Sequence, residues 1–216
     1  RAGAGSYTAP AHAAGSTNPV TVTNTVDCTG QLTLLKNVDN GTTGGTATAG
    51  AWTLTATPAT GVAISGTSGV SGAVTAGVAY ALAESGGPSG YQQTAIVCAA
   101  SSTGPWTGPA VTSVTVAAQQ HTYCRFTNTA IAPQLQLRKV VTDGVADAAN
   151  WRLTATSAGH TTVTGLGLAA YAPVVAGASY ALSEAAAGGF DGSEFSATAW
   201  VCAVTAGPRA GPTVGP

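Results

Sequence analysis

The sequence predicts an all-β fold of two tandem β-sandwich domains, the second lacking its last strand or strands and completed by a strand from a neighbouring chain. Three observations predict it. The chain repeats itself at a spacing of about 100 residues, which is the length of one small sandwich. The repeated blocks alternate apolar with polar residues, the period of a half-buried strand. Glycine, proline, asparagine and aspartate cluster between the blocks, as in Asn40-Gly41 and Ser85-Gly-Gly-Pro88, which marks turns. No segment carries an amphipathic helical period.

The repeat is read block by block. Leu32-Thr-Leu-Leu-Lys36 returns as Leu135-Gln-Leu-Arg-Lys139, and Ala51-Trp-Thr-Leu-Thr-Ala-Thr57 as Asn150-Trp-Arg-Leu-Thr-Ala-Thr156. Tyr80-Ala-Leu-Ala-Glu84 returns as Tyr180-Ala-Leu-Ser-Glu184, and Thr94-Ala-Ile-Val-Cys98 as Thr198-Ala-Trp-Val-Cys202. The offsets are 103, 99, 100 and 104 residues, so short insertions and deletions fall between constant blocks. In the second block Trp52, Leu54 and Ala56 alternate with threonines, which places the apolar set on one face of a strand. The first repeat ends in Cys124-Arg-Phe-Thr-Asn-Thr129. Its likeness, Val20-Thr-Val-Thr-Asn-Thr25, stands at the other end of the chain. The expected organisation is a donor-strand segment over 1–31, a first sandwich over 32–132, and a second over 133–216 without its final strand.

Composition narrows the function. Charged residues make up 7% of the 216 and the net charge is −1, which offers no footprint for nucleic acid or for an anionic membrane surface. No apolar run approaches the roughly 20 residues that span a bilayer. The β-branched, weakly charged composition does not fit a disordered chain. Residues 1–15 lack the apolar centre of a signal peptide, and with no methionine present the chain reads as a processed or partial product. His12, His121 and His160 are isolated, the cysteines lack metal-ligand spacing, and no Ser/His/Asp set or carboxylate pair stands out. Neither an enzyme nor a metal or cofactor is expected.

The polar residues inside the apolar pattern carry the chemistry. The chain has two lysines, Lys36 and Lys139, at the same repeat position. Leu32, Leu34 and Lys36 share a strand face, as do Leu135, Leu137 and Lys139. Tyr80, Leu82 and Glu84 share another, as do Tyr180, Leu182 and Glu184. Cys124, Phe126 and Asn128 share a third, as do Val20, Val22 and Asn24. Buried alone, such side chains would cost several kcal/mol each, so they are expected to meet. One reading is a hydrogen-bonded Lys–Glu–Asn cluster that fixes strand register. The other is an amide between the lysine amine and the asparagine carboxamide, with a protonated glutamate polarising the carbonyl and moving protons.

Lys36 on the first strand, Tyr80-Ala-Leu-Ala-Glu-Ser-Gly-Gly-Pro-Ser-Gly-Tyr91, and Asn128 on the last strand resemble the collagen-adhesin B-type (prealbumin-like) domains of Gram-positive pilins and surface adhesins. The resemblance covers roughly residues 32–216. It implies a prealbumin-like sandwich, an extracellular location, and an isopeptide between Lys36 and Asn128 promoted by Glu84. It carries over to Lys139 and Glu184 with departures, since Pro88 has no counterpart in Ala185-Ala-Ala-Gly-Gly-Phe190 and Phe190 replaces Tyr91.

Cys98 and Cys124 are the two cysteines of the first repeat, and a disulfide between them would close a loop of about 25 residues. Cys202 matches Cys98, but Val20 stands where its partner would be. A bridge from Cys28 to Cys202 between subunits, free thiols, and partners outside the chain all stay open. The split repeat likewise allows two readings. One is a window of a longer tandem array, such as the stalk of an adhesin whose ligand is bound elsewhere. The other is donation of the N-terminal strand into a neighbour's second repeat, where Asn24 would face Lys139 and Glu184 and identical subunits would join head to tail. Asn40-Gly41-Thr42 is formally a glycosylation sequon, and a hairpin turn is the reading preferred for it.

Overall fold

The computed structural model describes residues 28–142 and 144–204, together with residues 15, 17, 19, 21 and 23. The described chain is all-β, with two single-turn 3-10 segments, Ala49–Ala51 and Ala148–Asn150.

Eight strands build the first repeat: β1 (Thr29–Asp39), β2 (Trp52–Pro58), β3 (Ile64–Gly66), β4 (Ser71–Thr75), β5 (Ala79–Gly86), β6 (Tyr91–Ala99), β7 (Ser113–Thr115) and β8 (His121–Ala130). They form two four-stranded sheets, ordered β4-β1-β8-β6 and β3-β2-β5-β7. Every pairing is antiparallel except β1 with β8, which run parallel from Gln31 opposite His121 to Asp39 opposite Thr129. The first and last strands of the repeat are therefore neighbours in the middle of one sheet.

Period-two alternation explains how the sheets face each other. Trp52, Leu54 and Ala56 are buried while Thr53, Thr55 and Thr57 point away. Leu32 and Leu34 on β1, Tyr80 and Leu82 on β5, and Cys124 and Phe126 on β8 close the same core. Burying each large apolar side chain contributes about 1.5–3 kcal/mol, and Leu32, Leu34, Leu54 and Phe126 are all fully enclosed.

Asn40-Gly41 does turn the chain, but not into a hairpin. β1 and β2 belong to different sheets, so the turn crosses the sandwich rather than pairing its flanking strands. The Asn40 side chain is spent holding it. Its Nδ2 donates to the Ala47 carbonyl at 3.2 Å, and its Oδ1 accepts from the Tyr91 hydroxyl at 2.5 Å.

In the second repeat one sheet follows the pattern and the other does not. β10 (Trp151–Thr156) pairs with β11 (Val163–Leu166) and β13 (Ala181–Ala186), and Trp151, Leu153 and Ala155 repeat the burial of Trp52, Leu54 and Ala56. The counterpart of β1 shrinks to β9 (Gln134–Leu135), paired with β12 (Ala172–Pro173), plus one isolated bridge from Arg138 to Leu168. The block expected to match β6, residues 198–202, carries no assigned strand. In the first repeat both strands are held by β8 between them. Among the described residues of the second repeat no segment stands in that place, so their ladders on that side are unmade. The described core shrinks to Leu137, Leu153, Ala155, Val163 and Ala169, while Leu166, Leu168, Tyr171, Trp200 and Val201 stand out to solvent.

The two repeats touch backbone to backbone. The Ala176 amide donates to the Thr43 carbonyl at 2.8 Å. Gly44 lies in the left-handed region, φ 80°, and a Cβ there would sit 2.3 Å from the Ala176 carbonyl oxygen. Only glycine fits both the conformation and the approach.

Candidate functional site

Lys36, Glu84 and Asn128 come from three strands and both sheets. β1 and β8 place Lys36 opposite Phe126 and Val38 opposite Asn128, so Asn128 lies one same-face step along from Lys36 on the adjoining strand. That is the diagonal neighbour position, within reach of a long side chain. Glu84 approaches from the facing sheet, where it stands opposite Leu54. Its Oε2 meets Lys36 Nζ across the core. The Lys36 side chain is 0% exposed and that of Glu84 10%, so the ion pair is held away from water.

Trp52 roofs the amine, with Nζ 4.6 Å from its ring centroid. Tyr91 meets the Trp52 ring edge-on at 5.5 Å, and its hydroxyl accepts from the Ala47 amide at 3.0 Å while donating to Asn40. The tyrosine of the Pro-x-Gly-Tyr stretch thus ties the tryptophan roof to the β1–β2 turn. Burial lowers the Lys36 amine below its ordinary value, against the hydrogen bond and charge of Glu84, which pull it up. Asn128 is 3% exposed, and its Oδ1 is a buried acceptor without a hydrogen-bond partner. Such an orphan costs about 1–3 kcal/mol.

The chemistry these positions permit follows from the neutral forms. Moving the Nζ proton to Glu84 leaves an amine with a free lone pair beside a carboxamide, and a carboxylic acid able to donate to the unpaired Oδ1. The surrounding Leu34, Leu54 and Phe126 exclude water from the reacting atoms.

The second repeat holds the same pair in an opened form. Lys139 Nζ is 3.0 Å and 2.8 Å from the two Glu184 oxygens and 4.9 Å from the Trp151 centroid. Its side chains are 16% and 20% exposed, against the nearly sealed first pair. Phe190 packs on Trp151 at 5.0 Å with Phe195 beside it at 5.1 Å. Phe190 fills the aromatic place of Tyr91 but has no hydroxyl to pin a turn.

Asn24 lies outside the described residues. Cys98 and Cys124 stand opposite each other in the β6–β8 ladder and are joined by a disulfide. Neither sits at a strand end: Cys98 is the eighth residue of β6 and Cys124 the fourth of β8. Cys28 and Cys202 are exposed free thiols. Among the described residues no group of three or more His, Cys, Asp or Glu side chains is placed to hold a metal, and no helix is long and apolar enough to cross a membrane.

Sequence marked Tyr91 as part of the motif, but neither its anchoring of the turn nor the tryptophan roofs were read from it. Their signal was present, since Trp52 and Trp151 recur at the same place in one repeated block, but alternation marks a residue as inward without saying what it covers. Nor did sequence single out Arg125 over Trp106, 4.6 Å from guanidinium to ring centroid on the outer face of β8.

A protein-family model described as a prealbumin-like fold domain, of the SpaA type, matches residues 27–126 and again residues 131–215. No curated protein and no solved structure matches the chain.

Proposed function

The chain belongs to the SpaA-type family of prealbumin-like fold domains, typical of Gram-positive surface proteins and pilins, and on that premise we propose that it is a load-bearing segment of an extracellular fibre, locked by a Lys36–Asn128 isopeptide. Domains of this family are structural surface domains rather than catalytic ones, and the disulfide fits an oxidising extracellular setting.

One observation carries the reading. Lys36 is sealed against Glu84 while Asn128, a diagonal neighbour in the ladder, keeps an unpaired carboxamide oxygen. The amine attacks Asn128 Cγ, Glu84 passes its proton to the departing nitrogen, and ammonia leaves. The ammonium–carboxylate pair and the carboxamide become an amide, a neutral Glu84 and ammonia, so the buried charge is gone. The mechanical benefit follows from topology. β1 carries the chain into the first repeat and β8 carries it out, and the two lie parallel side by side. A bond between them passes tension from entry to exit and shields everything between Lys36 and Asn128.

The finer reading for the second repeat is strand completion. The preformed Lys139–Glu184 pair and, among the described residues, the unmade ladder beside β9 support it. Val20-Thr-Val-Thr-Asn-Thr25 has the pattern of the end of β8 and offers Asn24 to Lys139. Donated to a neighbour, it gives a head-to-tail filament. A stalk of a longer tandem-repeat adhesin uses the same first-repeat lock without the donation.

Intact mass tests the lock. The purified chain is expected one ammonia lighter than its sequence, and Glu84→Gln restores the full mass. A wild-type chain at full mass sinks the proposal.

A further inference from the structure

The fibre reading assigns no part to the boundary between the repeats, yet that boundary is bonded on both sides. The chain leaves β8 at Ala130 and enters β9 at Gln134. Between them, the Ile131 amide donates to the Gly90 carbonyl of the first repeat at 2.7 Å, and the Pro133 carbonyl accepts from the Val174 amide of the second at 2.8 Å. Away from this covalent link, the Ala176 amide donates to the Thr43 carbonyl. The repeats are thus joined along two lines, the linker and the turn over residues 40–48.

Each partner in the second line is held in place by its own repeat. The Thr43 hydroxyl donates to the Asn40 carbonyl at 2.9 Å and accepts from the Gly45 amide at 3.2 Å. The Tyr91 hydroxyl donates to Asn40 Oδ1 and accepts from the Ala47 amide, so it grips the turn on both sides of Thr43. A side chain at Gly45 would strike that hydroxyl. Across the boundary, Val175-Ala-Gly-Ala-Ser-Tyr180 repeats Thr75-Ala-Gly-Val-Ala-Tyr80. In both, the glycine lies at φ 78°, and the tyrosine hydroxyl accepts from the amide five residues earlier, Thr75 at 3.1 Å and Val175 at 3.3 Å. The next amide is spent outside the turn. Ala76 donates to the Cys28 carbonyl, extending the β1–β4 ladder within the first repeat, whereas Ala176 donates to Thr43.

We propose that the turn over residues 40–48 is a docking element that fixes the orientation of the following repeat through the Ala176 amide, and that Tyr91 is the residue that positions it. The inference goes beyond the Lys36–Asn128 lock and does not need it. Two domains on a flexible linker move against each other unless something more restrains them. Here the linker is short, stiffened by Pro133 and bonded at both ends, so little chain freedom remains to be lost when Thr43 and Ala176 meet. Gly44 permits the approach, since a Cβ there would collide with the Ala176 carbonyl and amide.

The device points one way. The corresponding turn of the second repeat runs 11 residues from Lys139 to Asn150, against 15 from Lys36 to Ala51. Phe190 stands there against Trp151 and has no hydroxyl to grip a turn. In a fibre, a boundary held along two lines resists bending and twisting, whereas one held by its linker alone is a hinge.

Amide hydrogen exchange of the full 216-residue chain, read residue by residue by NMR, tests this. Ala176 is exposed, so its bond to Thr43 is what slows its exchange. Ala76 is the internal control, in the same kind of turn with its bond inside the first repeat. In the wild type Ala176 is expected to exchange about ten-fold slower than an unbonded amide. Gly44→Ala and Tyr91→Phe should each remove that protection while Ala76 keeps its rate. Residual dipolar couplings of the two repeats should fit one alignment tensor in the wild type and require two in either variant. An unprotected Ala176 in the wild type, protection that survives either substitution, or parallel losses at Ala76 and Ala176 overturns the proposal. Intact mass of the wild type reads the Lys36–Asn128 lock independently, so failure of the joint and failure of the lock are distinguished.

Discussion

Asn128→Ala removes the acyl carbon of the proposed amide and leaves Lys36, Glu84 and every strand ladder in place. The size of the effect can be worked from the chain path. Lys36 to Cys98 spans 62 residues and Cys124 to Asn128 a further 4, and the disulfide shortcuts what lies between. The amide thus closes a loop of about 66 residues, which restricts the unfolded chain by about 4 kcal/mol on the chain-entropy account. Two smaller effects oppose one another: the variant keeps a buried ion pair and loses a buried oxygen that had no partner. For a domain near 100 residues, about 4 kcal/mol lowers the midpoint by about 15–35 °C. Intact mass establishes whether each protein carries the amide, and thermal unfolding under non-reducing conditions measures the difference. The variant should have its full sequence mass and the wild type one ammonia less. If the wild type lacks the amide, or carries it and still melts within a few degrees of Asn128→Ala, the reasoning fails.

The remaining predictions concern the disulfide and the amine. Replacing Cys98 and Cys124 together by alanine opens a loop with a separation of 26 residues and should cost about 3.5 kcal/mol, read as a lower urea midpoint that reductant reproduces in the wild type. The Asn128→Ala protein keeps a titratable Lys36 whose folded-state value lies below 10.5 because burial disfavours its charge. Between that value and 10.5 the unfolded chain binds more protons, so the variant gains stability as pH rises through the window and loses it as pH falls. The amide proposed for the wild type has no group that titrates there. The stability gap between the two should therefore narrow with rising pH, and a gap constant across the alkaline range would count against a buried, charged Lys36.

The candidate site was legible in sequence because strand parity is local. Lys36, Glu84 and Asn128 each share a face with apolar neighbours two residues away, and the structure finds Leu34, Leu82 and Phe126 buried beside them. The expectations that strayed were all about partners. A strand was expected at Leu135–Lys139 and another at Thr198–Cys202, yet the first is two residues long and the second unassigned. Alternation marks a segment able to pair, and a ladder needs a neighbour. Asn40-Gly41 strayed in the same way, since a turn signal says that the chain reverses without saying which sheet it joins.

Sequence alone determined the repeat, the all-β class and which polar side chains point inward, because each follows from the order of residues along one strand. Tertiary structure alone decided that β1 and β8 lie parallel, that their register sets Asn128 diagonally from Lys36, and that Glu84 reaches the amine from the opposite sheet under Trp52. Those relations join positions up to 92 residues apart. They are fixed by the packing of two sheets, which no local pattern encodes.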